Sequence, residues 1–440
     1  MTTNPPLTPT YILRGHAAPI HALQIFNDNL RLVSGDANGW IVVWDLVFKR
    51  PVAVWKAHEG AVLEVKGFTL TPGVTEIYTH GRDHKLRVWR FKVQDEQILS
   101  KTLPIDENGT SSERQTESGS QPWLVHSLPV NALNFCAFSM LFLTLPHAEK
   151  ANEDQPPSSS SALIAVPNAL DSGAIDLFHL PRERRICTIP TDPSTKTGMV
   201  MAATLIRPSS SEDLLVTAAY EDGHVMVFGC RGVFTNNHPL INPDGTAEPQ
   251  KKWKWEKLYG CRPHTQPVLS IDVPPSGDYF ISSSADAILV KHPISFFGSS
   301  RTAIEKPLKS LNTRHAGQQG LRIRADGKIF ATAGWDSRVR VYSCKTMREL
   351  AVLKWHKEGC YAVAFGSVSL STVDDKKDTE HPAPFEEDVI KDEGTIIHQP
   401  QRKEEYSLAE VHRKRNLKIQ NTHWLAAGSK DGKISLWDIY

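Results

Sequence analysis

The stretch RGHAAPIHALQIFNDNLRLVSGDANGWIVVWD, residues 14–45, carries the pattern that decides the fold. It opens on Gly15-His16, closes on Trp44-Asp45, and holds three short apolar or alternating runs between them. The runs are Ile20–Ile25, Leu30–Ser34 and Trp40–Trp44. Runs of this length, separated by residues that favour turns, are typical of short β-strands. The stretch therefore predicts three strands joined by tight turns.

This pattern recurs along the whole chain. Four later copies open on a histidine, and these are His58, His264, His315 and His356. From the histidine to the closing aromatic or its replacement, the spacing is 28 residues (16 to 44), 31 (58 to 89), 28 (264 to 292) and 27 (315 to 342). Two degenerate copies fill the middle, with strands predicted at Val130–Phe135, Leu163–Val166 and Ala174–Phe178 and at Met199–Leu205, Leu214–Ala218 and His224–Phe228. A Gly-His…Trp-Asp repeat of about 40–45 residues is the signature of a four-stranded propeller blade. The sequence predicts an all-β, seven-bladed WD-repeat β-propeller.

The two ends of the chain are predicted to close the ring. The last copy ends directly after its third strand and lacks a fourth, whereas one extra strand, Pro9–Leu13, precedes the first histidine. Pairing this strand into the seventh blade removes two exposed sheet edges at once. We therefore predict a single seven-bladed propeller over residues 9–440, closed by its N-terminal strand.

Polar, low-complexity insertions account for the residues beyond the seven repeats. They are predicted at residues 106–121, 146–161, 235–250, 298–306 and 367–420. Their composition offers too few apolar residues for a core. Each insertion falls between the first and second or between the third and fourth strand of a blade, and in a meander both connections emerge on the same side. One face of the ring is therefore expected to carry the insertions, and the other only short turns.

The chain resembles WD-repeat proteins over nearly its whole length, and the resemblance implies a His–Ser/Thr–Asp–Trp hydrogen-bond tetrad within a blade. The resemblance also implies that the aspartate lies six residues before the tryptophan. By that spacing, only the last copy has all four residues. The implied tetrad members are His356, Ser429, Asp431 and Trp437 in the last copy, His58, Asp83 and Trp89 in the second, His264, Ser284 and Asp286 in the fifth, and His315 and Asp336 in the sixth. The second copy has Gly81 in the serine position and the fifth has His292 in place of the tryptophan, while Asp36 of the first copy lies two residues from the expected place.

The composition and the motifs of the sequence argue against an enzymatic function. The 50 Lys+Arg balance 49 Asp+Glu, so a net charge of +1 provides no bulk field for nucleic acid or an anionic membrane. The first ten residues lack the basic and apolar regions of a signal peptide. Six cysteines lie far apart without a Cys-x-x-Cys pair, which favours free buried thiols. The H-E-x-x-H, nucleophile-elbow and phosphate-loop motifs are absent from the sequence. We therefore predict a protein that is not an enzyme and that uses no cofactor and no small-molecule substrate.

Four charged or aromatic residues are candidates for protein binding on the face of short turns. Each precedes the turn aspartate by one position, and they are Arg82, Glu221, Trp335 and Lys430. Trp and Arg dominate the energetics of protein interfaces. The alternative for Trp335 is packing into the neighbouring blade.

Two basic stretches leave alternatives open. Residues 251–257, KKWKWEK, alternate Lys and Trp, which suits either an outer strand with one buried aromatic face or a single-strand-binding strip. Residues 412–418, HRKRNLK, follow an acidic stretch and suit either a nuclear localisation signal or an ordinary solvated loop.

Longer segments resemble one family in particular, the fungal ASTRA-associated protein 1 family. The segments that carry the likeness are Gly15–Leu23, Leu32–Trp40, Lys49–His58 and Trp424–Ile434. The resemblance implies a scaffold subunit of the nuclear ASTRA assembly, which is linked to chromatin remodelling and to maturation of phosphatidylinositol-3-kinase-related kinases. It implies as partners a kinase-related Tra subunit, Tel–Tti cochaperones and RuvB-like ATPases.

Two other classes of WD-repeat protein are weighed against that family. A substrate receptor of a cullin ubiquitin ligase is the alternative, but such propellers often carry Trp-Asp-x-Arg after a third strand. Here the three sites read WDLV (44–47), WRFK (89–92) and WDIY (437–440), none with that arginine. A heterotrimeric G-protein β subunit would need a long N-terminal coiled-coil helix, for which the residues before Pro9 leave no room.

Overall fold

The computed structural model describes residues 8–104, 120–132, 135–144, 161–209, 211–234, 253–294, 297, 306–367 and 408–439. The predicted insertions therefore lie largely outside the described residues. The ends that are described are 120–121, 161, 306, 367 and 408–420.

Seven antiparallel four-stranded sheets form the blades of a ring, which confirms the predicted seven-bladed propeller. Blade 1 comprises β2 (Ile20–Phe26), β3 (Arg31–Asp36), β4 (Trp40–Asp45) and β5 (Arg50–Lys56), and blade 2 comprises β6 (Val62–Thr71), β7 (Val74–Gly81), β8 (Lys85–Lys92) and β9 (Trp123–Pro129). Blade 3 comprises β10 (Ser139–Thr144), β11 (Ser161–Pro167), β12 (Ile175–Leu180) and β13 (Arg184–Ile189). Blade 4 comprises β14 (Val200–Ile206), β15 (Leu214–Tyr220), β16 (Val225–Cys230) and β17 (Trp255–Cys261). Blades 5 and 6 comprise β18 (Val268–Asp272), β19 (Tyr279–Ser284), β20 (Ile288–Pro293) and β21 (Lys309–Asn312), followed by β22 (Gln318–Ile323), β23 (Ile329–Gly334), β24 (Val339–Ser343) and β25 (Glu349–Leu353). Blade 7 comprises β26 (Cys360–Phe365), β27 (Trp424–Ser429), β28 (Lys433–Asp438) and β1 (Tyr11–Arg14).

The core lies between blades, because each sheet is covered on both faces by its neighbours. Strand β15 is buried at every residue, and its sequence LLVTAAY is correspondingly apolar almost throughout. One apolar cluster joins Val33 and Trp55 of blade 1 to Val62 and Ile77 of blade 2. The stacking of blades, and not any single sheet, therefore buries the apolar side chains.

The ring is closed by the two chain ends, as predicted. Strand β1 pairs antiparallel with β28, with Tyr11 opposite Leu436 and Arg14 opposite Lys433. Leu13 points into the cluster shared by blades 7 and 1 and is 1% exposed. Closure thus covers the outer edge of β28 and buries an apolar side chain.

The first strand of blade 3 corrects the prediction. It is β10, Ser139–Thr144, and not Val130–Phe135, which runs without regular structure where it is described. Phe135 stays 63% exposed, while Phe138 is buried against blade 2. Both stretches are apolar enough to be a strand, and only the pairing of Ser139 with Ala165 on β11 decides between them.

A strap from blade 2 covers the outside of blade 1. After β8 a short 3-10 helix, Val93–Gln97, leads the chain outward, and the backbone amide of Val54 on β5 donates to the carbonyl of Ser100 at 2.8 Å. Glu96 pairs with Arg31 of blade 1 at 3.2 Å. The strap therefore ties two neighbouring blades along their outer edge.

The end of the long insertion 367–420 is an α-helix that packs on the ring, although the composition of the insertion predicted too few apolar residues for a core. Helix α1 spans Leu408–Gln420, and its Ile419 is 8% exposed within the cluster shared by blades 7 and 1. Trp424 Nε1 donates to the carbonyl of Ile419 at 2.9 Å. A single buried apolar residue and one indole hydrogen bond thus dock a helix that is otherwise polar.

Candidate functional site

Complete tetrads lie in blades 1 and 2, which corrects the prediction that the last blade alone has one. In blade 1, Trp44 Nε1 donates to Ser34 Oγ at 2.9 Å, Ser34 Oγ lies 2.7 Å from His16 Nε2, and His16 Nδ1 lies 2.8 Å from Asp36 Oδ2. Asp36 is fully buried and is therefore the tetrad aspartate, not a residue displaced from it.

Blade 2 repeats this network with Thr79 in place of a serine. Trp89 Nε1 donates to Thr79 Oγ1 at 3.0 Å, His58 Nε2 lies 2.8 Å from the same oxygen, and His58 Nδ1 lies 2.8 Å from Asp83. The structure thus brings His58, Asp83 and Trp89 together, and Thr79, not position 81, supplies the hydroxyl. Burial alone would raise the pKa of Asp83, but hydrogen bonds from His58 and Arg87 hold it well below its usual range.

Blade 5 has a tetrad with histidine in the tryptophan position, and its hydroxyl comes from Ser282. Ser282 Oγ lies 2.8 Å from His264 Nε2 and 2.9 Å from His292 Nε2, while His264 Nδ1 lies 3.2 Å from Asp286. Ser284, the predicted member, instead donates to the carbonyl of Pro267 at 2.8 Å. The prediction of Ser284 is therefore wrong by two residues.

Blade 7 departs further from the prediction. Trp437 Nε1 donates to Ser435 Oγ at 2.8 Å, and His356 Nε2 lies 2.8 Å from the same oxygen. Ser429, the predicted member, donates to the carbonyl of Glu358 and does not reach His356. Asp431 lies 3.8 Å from His356 Nδ1 and pairs with Lys433 at 2.8 Å. The last tetrad is therefore looser than the first two.

Blade 6 forms no buried tetrad among the residues that the structure describes. His315 has a side chain 43% exposed and lies 3.8 Å from Asp336, which instead pairs with Arg340 at 2.6 Å. Thr313 Oγ1 accepts from Gln318 Nε2 at 2.8 Å, and Gln318 is 1% exposed. His315 and Asp336 therefore do not play the predicted role.

A fixed spacing would have found the missed hydroxyls. Ser34, Thr79 and Ser282 each lie ten residues before the ring that they contact (34 to 44, 79 to 89, 282 to 292). Position 427 of blade 7 is an alanine, and Ser435 lies directly opposite it across the ladder. In blade 7 the hydroxyl group is therefore supplied by β28 and not by β27, and it still lies between the rings of His356 and Trp437.

The four predicted binding residues are all exposed on the face of short turns. Arg82, Glu221, Trp335 and Lys430 each follow the second strand of a blade, and their side chains are accessible. Trp335 is 49% exposed and lies across the backbone of Gly317, where a β-carbon would come within 2.2 Å of the indole. Gly317 has φ 74°, so glycine suits both the conformation and the close approach. The indole of Trp335 therefore packs on the backbone of Gly317 but is not buried between blades.

The mouth of the central channel on this face is lined by aromatic, polar and aliphatic side chains. The second residue of an innermost strand faces the channel in most blades, as His21, Leu63, Met201, Leu269, Gln319 and Tyr361 do. His21 stacks on Tyr361 at 5.5 Å, and Trp335 Nε1 donates to Gln319 Oε1 at 2.8 Å. Arg82 lies over the exposed ring of Phe135 at 4.5 Å. Two of the predicted residues, Arg82 and Trp335, thus extend this mouth outward; we call the whole surface the channel-mouth surface.

Below the mouth the channel is crossed by an ion pair. Arg322 Nη2 on β22 lies 2.7 Å from Glu64 Oε2 on β6. These strands belong to blades 6 and 2, which are not neighbours in the ring. The pair therefore links opposite sides of the propeller across its centre.

The described residues contain neither a cluster of metal ligands nor a helix able to cross a membrane. Among the described residues, no three or more His, Cys, Asp or Glu side chains are grouped as they would be to hold a metal ion. Helices of the described ranges are too short or too polar to cross a bilayer. Residues 251–252 of the segment 251–257 lie outside the described residues. Trp253 stacks on Trp255 at 6.1 Å and both pack against the core of blades 3 and 4, which favours the outer-strand interpretation of residues 253–257. Residues 412–418 lie within helix α1, not on a loop.

Comparison with known proteins agrees with this architecture. A family model described as ASTRA-associated protein 1 matches residues 9–437. Proteins of that name from Aspergillus niger and Penicillium rubens are 65% and 58% identical, each over 99% of this chain and 98% of the relative. The protein of that name from Schizosaccharomyces pombe is 33% identical over 81% of this chain and 93% of its own length. The match spans all seven blades and both strands that close the ring, so the chain belongs to the ASTRA-associated protein 1 family.

Proposed function

We propose that the protein is a non-enzymatic scaffold subunit of the nuclear ASTRA assembly and that it acts in chromatin remodelling and in the maturation of phosphatidylinositol-3-kinase-related kinases. The partners proposed are a kinase-related Tra subunit, Tel–Tti cochaperones and RuvB-like ATPases. Membership of the family over the whole propeller supports the assembly, and the relatives' name associates them with ASTRA.

The channel-mouth surface is the observation that carries the scaffold role. It combines a half-exposed Trp335, an exposed Phe135 under Arg82, and the stacked pair of His21 and Tyr361. Aromatic rings and arginine that are already held in place lose little side-chain entropy when a partner binds. The connections on this face are at most ten residues long, although two of them, 130–138 and 190–199, are longer than the predicted short turns, so a large partner can approach the surface.

Affinity purification of the tagged chain from fungal cells tests both parts of the proposal. We expect the double variant Arg82→Glu and Trp335→Ala to recover about tenfold less of the ASTRA proteins. The melting temperature should stay near that of the unaltered protein, because both side chains are exposed. A matched control, Arg184→Glu with Leu350→Ala, changes an exposed cation and an exposed apolar residue on outer strands and should recover partners normally.

The possible outcomes separate the surface from the assembly. Normal recovery with a folded double variant would place the interface elsewhere on the protein. Recovery of cullin adaptors without ASTRA proteins from the unaltered chain would reject the proposed assembly. Fluorescence of the tagged chain outside the nucleus in growing cells would contradict the proposed location.

A further inference from the structure

We propose that helix α1 and the neighbouring turn of blade 1 form a second docking surface, for an acidic and partly apolar segment of a partner protein. We call it the basic helix surface; it comprises Phe48, Arg413, Lys414, Arg415, Leu417 and Lys418. It lies on the face of insertions, opposite the channel-mouth surface. The proposal does not depend on the identity of the assembly.

The basic helix surface is held in place by contacts to two blades. Asn29 of blade 1, which is 1% exposed, donates through Nδ2 to the carbonyls of both Gln420 and Ser367 at 2.8 Å. Asn29 Oδ1 accepts from the backbone amide of Ser367 at 2.6 Å. One amide thus fastens both ends of the insertion, and Ile419 and Trp424 fix the last turn of the helix. A helix docked in this way presents its outer side chains without the entropy cost of ordering them on binding.

Among the described residues, the charge of this surface is largely uncompensated. Four of its side chains are cationic, and helix α1 holds one acid, Glu410, which lies 3.6 Å from Lys414. Within the described ranges, no carboxylate forms an ion pair with Arg413, Arg415 or Lys418. The pKa of Lys49 is lowered, mainly by burial and further by the charge of Lys418, while Asp45 acts in the opposite direction. Lys49 is therefore a fifth cation close to the helix. Like charges gathered in this way favour an anionic partner.

The apolar members of the surface favour a protein over a nucleic acid. Phe48 is 48% exposed and packs against His412 at 5.8 Å, and Leu417 is 45% exposed among the cations. A phosphate backbone makes no use of exposed Leu and Phe side chains, and a chain of net charge +1 has no wider positive field to hold a polyanion. An acidic segment with a few apolar side chains matches both parts of the surface.

A crosslinking experiment in the native assembly tests the proposal directly. A photoreactive phenylalanine analogue replaces Leu417 in the full chain expressed in fungal cells, and the crosslinked segments are sequenced. We expect segments of another protein rich in Asp and Glu, and no such segments when the analogue replaces Leu350, an exposed apolar residue on an outer strand. Crosslinks to neutral or basic segments, to nucleic acid, or to the acidic residues 374–405 of the same chain would overturn the proposal.

A binding measurement with the purified chain tests the chemistry separately. The probe is a fluorescein-labelled peptide of Glu-Glu-Leu-Glu repeats, followed by anisotropy at low salt. We expect the charge-reversed variant Arg413→Glu, Arg415→Glu and Lys418→Glu to raise its Kd at least about tenfold. The glutamine variants at the same positions, which preserve helix-forming tendency, should weaken binding less. Equal affinity for the reversed variant, or tighter binding of single-stranded DNA than of the peptide, would overturn the proposal.

Discussion

At the scale of single residues, the tetrads show how one buried hydroxyl joins two strands to a loop. Ser34 accepts from Trp44 on β4 and contacts His16, which precedes β2. Asp36 then holds the histidine and also accepts from the backbone amides of Asn38 and Trp40 at 2.9 and 3.0 Å. The aspartate therefore orders the turn as well as the network. In blade 7 Asp431 has no comparable contact with its histidine.

Replacing these two aspartates should separate their roles. We expect Asp36→Ala to lower the free energy of unfolding by about 1–3 kcal/mol, because it leaves a buried histidine and two amides without their acceptor. Asp431→Ala should cost clearly less, since its carboxylate pairs mainly with a half-exposed Lys433. Urea unfolding of both variants measures the difference. Equal losses would contradict the assignment of the tetrad to Asp36.

At the scale of elements, Asn29 explains how a long insertion is attached to a rigid ring. It occupies a left-handed conformation with φ 66° at the turn after β2. Asparagine tolerates this conformation better than most residues, and its amide reaches both ends of the insertion. Helix α1 depends on this residue for its position, because few of its own residues are buried.

The variant Asn29→Gly tests that dependence. Glycine accepts the same backbone conformation but removes the amide, so the turn should survive while helix α1 loses an anchor. We expect faster hydrogen exchange in residues 408–420 and little change in the strands of blade 1. A matched control is Asn38→Gly, an exposed asparagine in the turn between β3 and β4, at the opposite end of the same blade. Unchanged exchange in the helix would show that Ile419 and Trp424 suffice to hold it.

At the scale of the whole molecule, stability comes from closing the ring. Strand β1 supplies the fourth strand of blade 7, and Leu13 joins the cluster between blades 7 and 1. The pair of Arg322 and Glu64 adds a contact across the channel. Interactions of this kind exist only when all seven blades are in place.

Removing residues 1–14 should therefore weaken the entire ring. The deletion leaves β28 with an open edge and takes a buried leucine from the core, a loss of about 2–5 kcal/mol for the leucine alone. We expect a lower melting temperature and a single transition. The control Tyr11→Ala alters an exposed residue of the same strand and should have a small effect. A deletion variant as stable as the full chain would contradict closure by β1.

Acid should destabilise the ring through its buried histidines. Burial lowers the pKa of His80 to about 3 and that of His356 to about 4, against 6.5 in the unfolded chain. Between the folded and the unfolded pKa values the unfolded state binds more protons than the folded state. The contribution of these histidines to stability is therefore fully present above about pH 6.5 and is lost as the pH falls below it. Each such histidine contributes a slope of about 1.4 kcal/mol per pH unit. Melting between pH 7 and 4 measures it, and His80→Phe should reduce the slope by about one proton. An unchanged slope in that variant would reject His80 as a contributor.

Much of this architecture follows from the sequence alone. Four copies with the histidine-to-aromatic spacing, two degenerate copies and the last copy predict seven blades, because each repeat contributes one small sheet whose apolar faces must be covered by the next. The unpaired strand before His16 and the missing strand after Trp437 determine closure. The place of Arg82 and Trp335 on the face of short turns follows from strand order. These features are local or periodic, so they are visible without coordinates.

Other features depend on the tertiary structure. In blade 7 the hydroxyl comes from Ser435 and not from position 427, and only the contact of Ser435 with His356, 79 residues away in sequence, reveals it. Val130–Phe135 and Ser139–Thr144 are both apolar enough for a strand, and the pairing with β11 selects the second. Arg322 and Glu64 are 258 residues apart in sequence and meet only across the closed ring. Helix α1 has so small an apolar side that its docking rests on Asn29, Ile419 and Trp424. In each case the deciding contact joins distant segments, for which a sequence pattern carries no periodic signal.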